Sequence, residues 1–99
     1  MIRGSTPTHT FHCKLEPELI HKVRVIYSQA DVLMLRKEDA DCIKDGQNIV
    51  VKLTQEDTLR FTEGTVDIQL RVLTPTGESI PSRVYKVGVG KLLENEVFT

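Results

Sequence analysis

The chain has no tryptophan, two cysteines, four prolines and five aromatic residues in 99 positions, and no surplus of charge of either sign. Each shortage narrows the possibilities. Thirteen basic against fourteen acidic residues give a formal net charge of −1. Nucleic-acid binders draw most of their affinity from phosphate contacts and carry a basic excess or stripe, which is missing here. No apolar run approaches the roughly 18–20 residues of a membrane-spanning helix. The opening Met-Ile-Arg-Gly-Ser-Thr-Pro lacks the apolar segment of a secretory signal, which points to a chain made in a reducing cytoplasm. There, Cys13 and Cys42, which share no short-range motif, are expected as two free thiols packed as small hydrophobes.

What is present is alternation. Val66, Ile68, Leu70 and Val72 alternate with Asp67, Gln69 and Arg71, the period-two pattern of a strand with one buried and one wet face. Pro75-Thr76-Gly77 breaks the pattern with turn residues. A return run follows in which Tyr85, Val87 and Val89 face inward, so Thr65–Gly90 reads as a long β-hairpin. A hairpin alone is barely stable in water, and the rest of the chain must cover its apolar face.

The remaining segments supply that cover. Residues 1–7 read as a flexible lead-in. Phe11, Cys13 and Leu15 share one face of a strand that Glu16-Pro17-Glu18 ends, since proline cannot donate to a ladder. Leu19-Ile20 fits a short turn, and Val23, Val25 and Tyr27 mark the next strand. Residues 31–37 contain Val-Leu-Met-Leu, too uniformly apolar to assign faces and open to reading as a helix from Asp31. A strand is favoured because Gln29-Ala30-Asp31 makes a short hairpin connection. A weak strand spans Asp41 to Lys44, Asp45-Gly46 signals a hairpin, and Ile49, Val51 and Leu53 face inward on the strand after it. Thr54 can cap a short helical turn whose first residues include Glu56 and Asp57, with Leu59 or Phe61 plugging the core.

Ninety-nine residues suffice for one core and are too few for two, so 1–99 is one domain. About seven antiparallel strands with turns every 8–12 residues and one short helical turn predict an all-β sandwich, Ig-like in strand order. A small closed or half-open barrel of the same strands is the alternative. The inter-sheet disulfide and tryptophan of antibody domains are absent.

Several residue groups invite chemical readings. His9, His12 and Cys13 form His-x-x-His-Cys, yet in a strand His12 points away from the other two, so they cannot converge on zinc without a bulge. The same geometry separates Cys13 from His12 as a nucleophile and base. Gly88-Val89-Gly90 lacks the helix a phosphate loop requires and suits a close backbone approach instead. Glu38, Asp39, Asp41 and Asp45 lack the oxygen spacing of a calcium loop. No metal, cofactor or enzymatic activity is expected.

Three stretches together carry a resemblance: Met-Ile-Arg-Gly-Ser-Thr-Pro-Thr-His-Thr-Phe at the start, Val-Lys-Leu-Thr-Gln-Glu-Asp-Thr-Leu-Arg-Phe in the middle and Ile-Gln-Leu-Arg-Val-Leu-Thr-Pro-Thr-Gly late in the chain. They resemble small proteins encoded in phages and prophages of Gram-positive bacteria. Those in turn resemble the amino-terminal β-sandwich modules of phage baseplate and tail-associated proteins. The resemblance covers nearly the whole chain, rests on strand-and-turn patterns, and transfers no catalytic or binding residue. It implies a non-enzymatic virion or assembly role, with protein partners or copies of itself, for a chain made in the bacterial cytoplasm. A carbohydrate- or ligand-binding adhesin module is the alternative. Lys91–Thr99 is the candidate contact segment, because Leu92, Leu93, Val97 and Phe98 are too apolar for an inert tail. It either joins a neighbour or folds back on its own core.

Overall fold

Alternation commits one face of each strand to the core, and two such faces must meet. The computed structural model, which describes residues 1–99, meets this need with two antiparallel sheets. Their elements are β1 (Thr8–His12), β2 (Lys22–Gln29), β3 (Val32–Lys37), β4 (Cys42–Asp45), β5 (Asn48–Lys52), α1 (Gln55–Leu59), β6 (Gly64–Leu73), β7 (Ser79–Pro81) and β8 (Tyr85–Val89). One sheet runs β1-β5-β4. The other runs β3-β2-β6, and β7 and β8 pair with successive parts of the far edge of β6.

Immunoglobulin sandwiches place strands B, E and D in one sheet and C′, C, F and G in the other. With β1 taken as B, the strands here follow that order, and the helical turn α1 makes the crossing from E to F. The fold is the expected Ig-like β-sandwich. Strand A is reduced to a single parallel bridge between Ile2 and Gly90, so β1 hydrogen-bonds on one side only. The sheets keep free edges and do not close into the alternative barrel.

The inward residues are those the alternation marks. Val25, Tyr27, Ile49, Val51, Leu53 and Phe61 have no exposed surface, and Val66, Ile68, Leu70 and Val72 face them from β6. Full burial of such a side chain contributes about 1.5–3 kcal/mol. Buried Gln29 ties β2 to the crossing: its Nε2 donates to the Thr62 carbonyl at 2.8 Å and its Oε1 accepts from the Thr62 amide at 2.9 Å. Thr54 caps α1 reciprocally, its Oγ1 accepting from the Asp57 amide at 3.1 Å while Asp57 Oδ2 accepts from the Thr54 amide at 2.9 Å.

The favoured strand over residues 31–37 is present as β3, Val32–Lys37, joined to β2 by the two-residue turn Ala30-Asp31. Three details differ from the sequence reading. The return arm of the hairpin is two strands, raising the count from about seven to eight. Arg71 pairs with Pro81 whereas Ile68 pairs with Tyr85, so one extra residue is accommodated between them. Ser82 covers this bulge: its Oγ accepts the Leu70 amide at 3.0 Å in place of a backbone carbonyl. Residues 1–7, read as a flexible lead-in, cross the end of the sandwich and are bonded there. Arg3 donates from its side chain to the carbonyls of Phe61 and Leu59, and Leu53 donates its amide to the Pro7 carbonyl. The weak strand expected over Asp41 to Lys44 lies one residue later, at Cys42–Asp45, behind a short helical turn.

Candidate functional site

The open edge of β1 has a consequence on the flank of the sandwich. Where a full strand A would lie, a cleft of about 380 Å³ opens between the end of β1 and the β7–β8 arm. Its lining includes the core residues Phe11, Cys13, Leu70 and Val72, with Ile80 and Tyr85 from the opposite arm. The Phe11 and Tyr85 rings meet edge to face at 5.8 Å between centroids. The polar members are His12, Lys14, Ser82 and Arg83, and no acidic residue lines the cleft. Arg83 stacks its guanidinium 4.2 Å above the Tyr85 ring, a cation–π contact. Neither Lys14 nor Arg83 forms an ion pair.

The candidate contact segment Lys91–Thr99 contains neither strand nor helix, yet it is anchored to its own molecule at three points. Gln55 grips the backbone of Phe98 from both sides, Nε2 donating to the Phe98 carbonyl at 2.8 Å and Oε1 accepting the Phe98 amide at 2.7 Å. Arg3 donates to Asn95 Oδ1 at 2.8 Å. Leu92 is half-buried against Gly4, whose positive φ of 77° brings the backbone beneath it. The four apolar residues therefore divide. Leu92 folds back, Val97 lies beside Thr54–Glu56 at the start of α1, and Leu93 and Phe98 stand out at 93% and 80% exposure. Glu94 and Glu96 between them are exposed and make no ion pair.

The other candidate groups are dispersed as the strand geometry requires. His9 faces inward and its Nδ1 lies 2.8 Å from the Tyr27 hydroxyl, while exposed His12 bonds Asn48 Oδ1 at 3.1 Å. Cys13 is buried beside Gln47 and Cys42 is half-buried opposite Val51, both as free thiols. Four residues along β5 and two strand spacings separate them, on the order of 15 Å, too far for a disulfide. Burial and then the neighbouring Asp41 and Asp39 raise the Cys42 thiol above its ordinary pKa. The acidic group is spent on local bonds. Glu38 pairs with Arg24 and Arg36 at 2.9 and 2.8 Å, and Asp39 accepts from Lys44 and the Val23 amide. Burial works against the Asp39 carboxylate, but those two bonds outweigh it and leave its pKa lowered. Gly90 allows the close approach expected of it, since a β-carbon there would meet Ile2 Cγ1 at 3.3 Å. Gly88 has open space around it.

The cleft residues Lys14 and Arg83 were not among the candidates drawn from the sequence. The one local signal was Pro81-Ser82-Arg83, which interrupts the alternation before Tyr85.

No protein-family model matches the chain, and no curated protein does. Among solved structures, the chain is similar to the V domain of amphioxus IgVJ-C2, with 14% sequence identity, a TM-score of 0.36, and coverage of 90% of this chain and 96% of that one. No helix of the chain is long and apolar enough to cross a membrane.

Proposed function

We propose that this chain is a non-enzymatic interaction module of a phage or prophage particle, made in the bacterial cytoplasm and assembled there with protein partners. The observation that carries the interaction reading is the anchored display of Leu93 and Phe98. Hydrogen bonds from Gln55 hold the Phe98 backbone to α1 while the ring faces solvent. An apolar side chain in a fixed, exposed position loses little entropy on binding, which is what a contact residue needs. The phage assignment is supported by the sequence resemblance. The carbohydrate-binding alternative has weaker support, because sugar sites present aromatic platforms and Phe98 is the one exposed ring of the five.

The phage part is tested by the genes beside the coding sequence. Tail-fibre, holin or endolysin genes are the expected neighbours, and a locus without virion or lysis genes would overturn it. The interaction part is tested by deleting Leu92–Thr99 and following assembly by light scattering. Smaller assemblies with unchanged β-sheet circular dichroism are expected. Unchanged assembly would reject the segment as a contact.

A further inference from the structure

We infer that the partner of the displayed segment is a second copy of this chain, whose flank cleft receives Leu93 and Phe98 in a head-to-tail contact. This rests on the interaction-module reading above and names the partner of that same surface. Three observations lead to it.

First, the surfaces match in chemistry. The segment presents two exposed apolar side chains around Glu94 and Glu96. The cleft presents an apolar floor with Lys14, Arg83 and His12 on its walls and no carboxylate. All four formal charges, Glu94, Glu96, Lys14 and Arg83, are free of ion pairs within the chain. Opposite charges at the rim of an apolar contact fix its register and suppress wrong partners.

Second, the two surfaces lie at opposite ends of the strands. The segment is bonded at Arg3 and Gln55, where β6 begins, whereas the cleft is lined by Leu70 and Val72 towards the end of β6. Six residues of strand, about 20 Å, separate Gly64 from Leu70. With Asn95 and Phe98 held at one end, the segment does not occupy its own cleft.

Third, such a contact joins two different surfaces, so one copy can give and receive at once. Contacts of that kind propagate into rings or filaments rather than stopping at a dimer.

Sedimentation velocity of the full chain over a concentration series tests this. Wild type is expected to associate reversibly beyond a dimer, less strongly as salt rises. Leu93→Ser with Phe98→Ser should move the association midpoint to at least about tenfold higher concentration. The pair Lys14→Glu and Arg83→Glu should do the same, as should Glu94→Lys with Glu96→Lys. Mixing the last two proteins should restore association, because each then offers a segment of the sign the other's cleft requires. The segment variants lie outside the core, so circular dichroism and denaturation should match wild type and the test survives misfolding of a cleft variant. A monomeric wild type at every concentration overturns the inference, as does a mixture of the two charge-reversed proteins, each with wild-type circular dichroism, that fails to associate. A monomer encoded among virion genes would defeat self-assembly alone. An assembling chain encoded away from such genes would defeat only the phage assignment.

Discussion

Lys37 Nζ lies 2.7 Å from Asp57 Oδ2, and the two side chains keep only 15% and 11% exposure. The pair joins edge strand β3 to the crossing turn α1, two elements that share no backbone ladder. Burial disfavours the Asp57 carboxylate, but hydrogen bonds from Lys37 and the Thr54 amide outweigh it and hold its pKa below the ordinary 3.8. Removing Lys37 takes away the opposite charge and leaves the largely buried carboxylate with the Thr54 amide.

Lys37→Met is therefore expected to destabilise the fold by about 3–5 kcal/mol. Because the folded pKa of Asp57 is depressed, its contribution is full above 3.8 and is lost as pH falls through the folded value. The variant should lose much of that acid dependence as well as stability at neutral pH. Urea midpoints taken at neutral pH and in steps through the acid range check both. A variant with the wild-type midpoint would show that the pair contributes nothing.

The contact of His9 with the Tyr27 hydroxyl titrates in a different window. Burial, and then the Met1 ammonium, lower the His9 pKa from 6.5, so the folded chain favours the neutral ring. The unfolded chain takes up the proton first, at its ordinary pKa. Stability is thus full above 6.5 and declines as pH falls from there to the folded pKa. His9→Gln should flatten the denaturation midpoint across that window. A wild-type protein that gains stability on acidification there would reject the assignment.

The strand phases were legible because alternation is local: each of Val66, Ile68, Leu70 and Val72 declares its face by its two neighbours. Val32-Leu33-Met34-Leu35 carries no such contrast. Its faces are set by pairing with β2 across an irregularity at Tyr27 and Ser28, which buries Leu35 and leaves Val32 and Leu33 exposed. The bulge at Ser82 was hidden for a related reason, since an extra residue exists only relative to the partner strand. The cleft was least legible. It depends on a strand that is reduced to one bridge and on the edges of two sheets brought together by the whole fold. For the contact segment, composition singled out Leu92, Leu93, Val97 and Phe98, but only tertiary contacts with Gly4 and Gln55 separate the inward Leu92 from the outward Leu93 and Phe98.

The turn between β2 and β3 holds Ala30 and Asp31 at φ of 49° and 63°. Two-residue hairpin loops of this hand favour Asn-Gly, because a β-carbon in the left-handed region costs about 1–2 kcal/mol. Both residues are exposed and neither side chain forms a hydrogen bond or ion pair. Ala30→Asn combined with Asp31→Gly should therefore raise stability by about 1 kcal/mol, after the greater freedom of glycine in the unfolded chain is deducted. Chemical denaturation measures it. A loss of stability would mean that the β2–β3 irregularity, rather than the turn residues, dictates the connection.

Leu92 and Leu93 are neighbours with opposite roles, which makes them the sharpest comparison in the molecule. Leu92 Cδ2 occupies space 2.7 Å from where a β-carbon on Gly4 would stand, so Leu92 rests directly on the backbone of the bonded 1–7 segment. Leu93 touches little of its own chain at 93% exposure. Half-burial of a leucine contributes about 1 kcal/mol, and Leu92→Ala should lower the denaturation midpoint accordingly when measured at concentrations too low for association. Leu93→Ala should stay within about 0.5 kcal/mol of wild type under the same conditions, as an exposed substitution does. At high concentration the order reverses: Leu93→Ala should weaken association, whereas Leu92→Ala should retain most of it once folded. Equal effects of the two substitutions on stability would mean that the segment does not rest on Gly4 in solution, and the fixed presentation of Leu93 and Phe98 would fall with it.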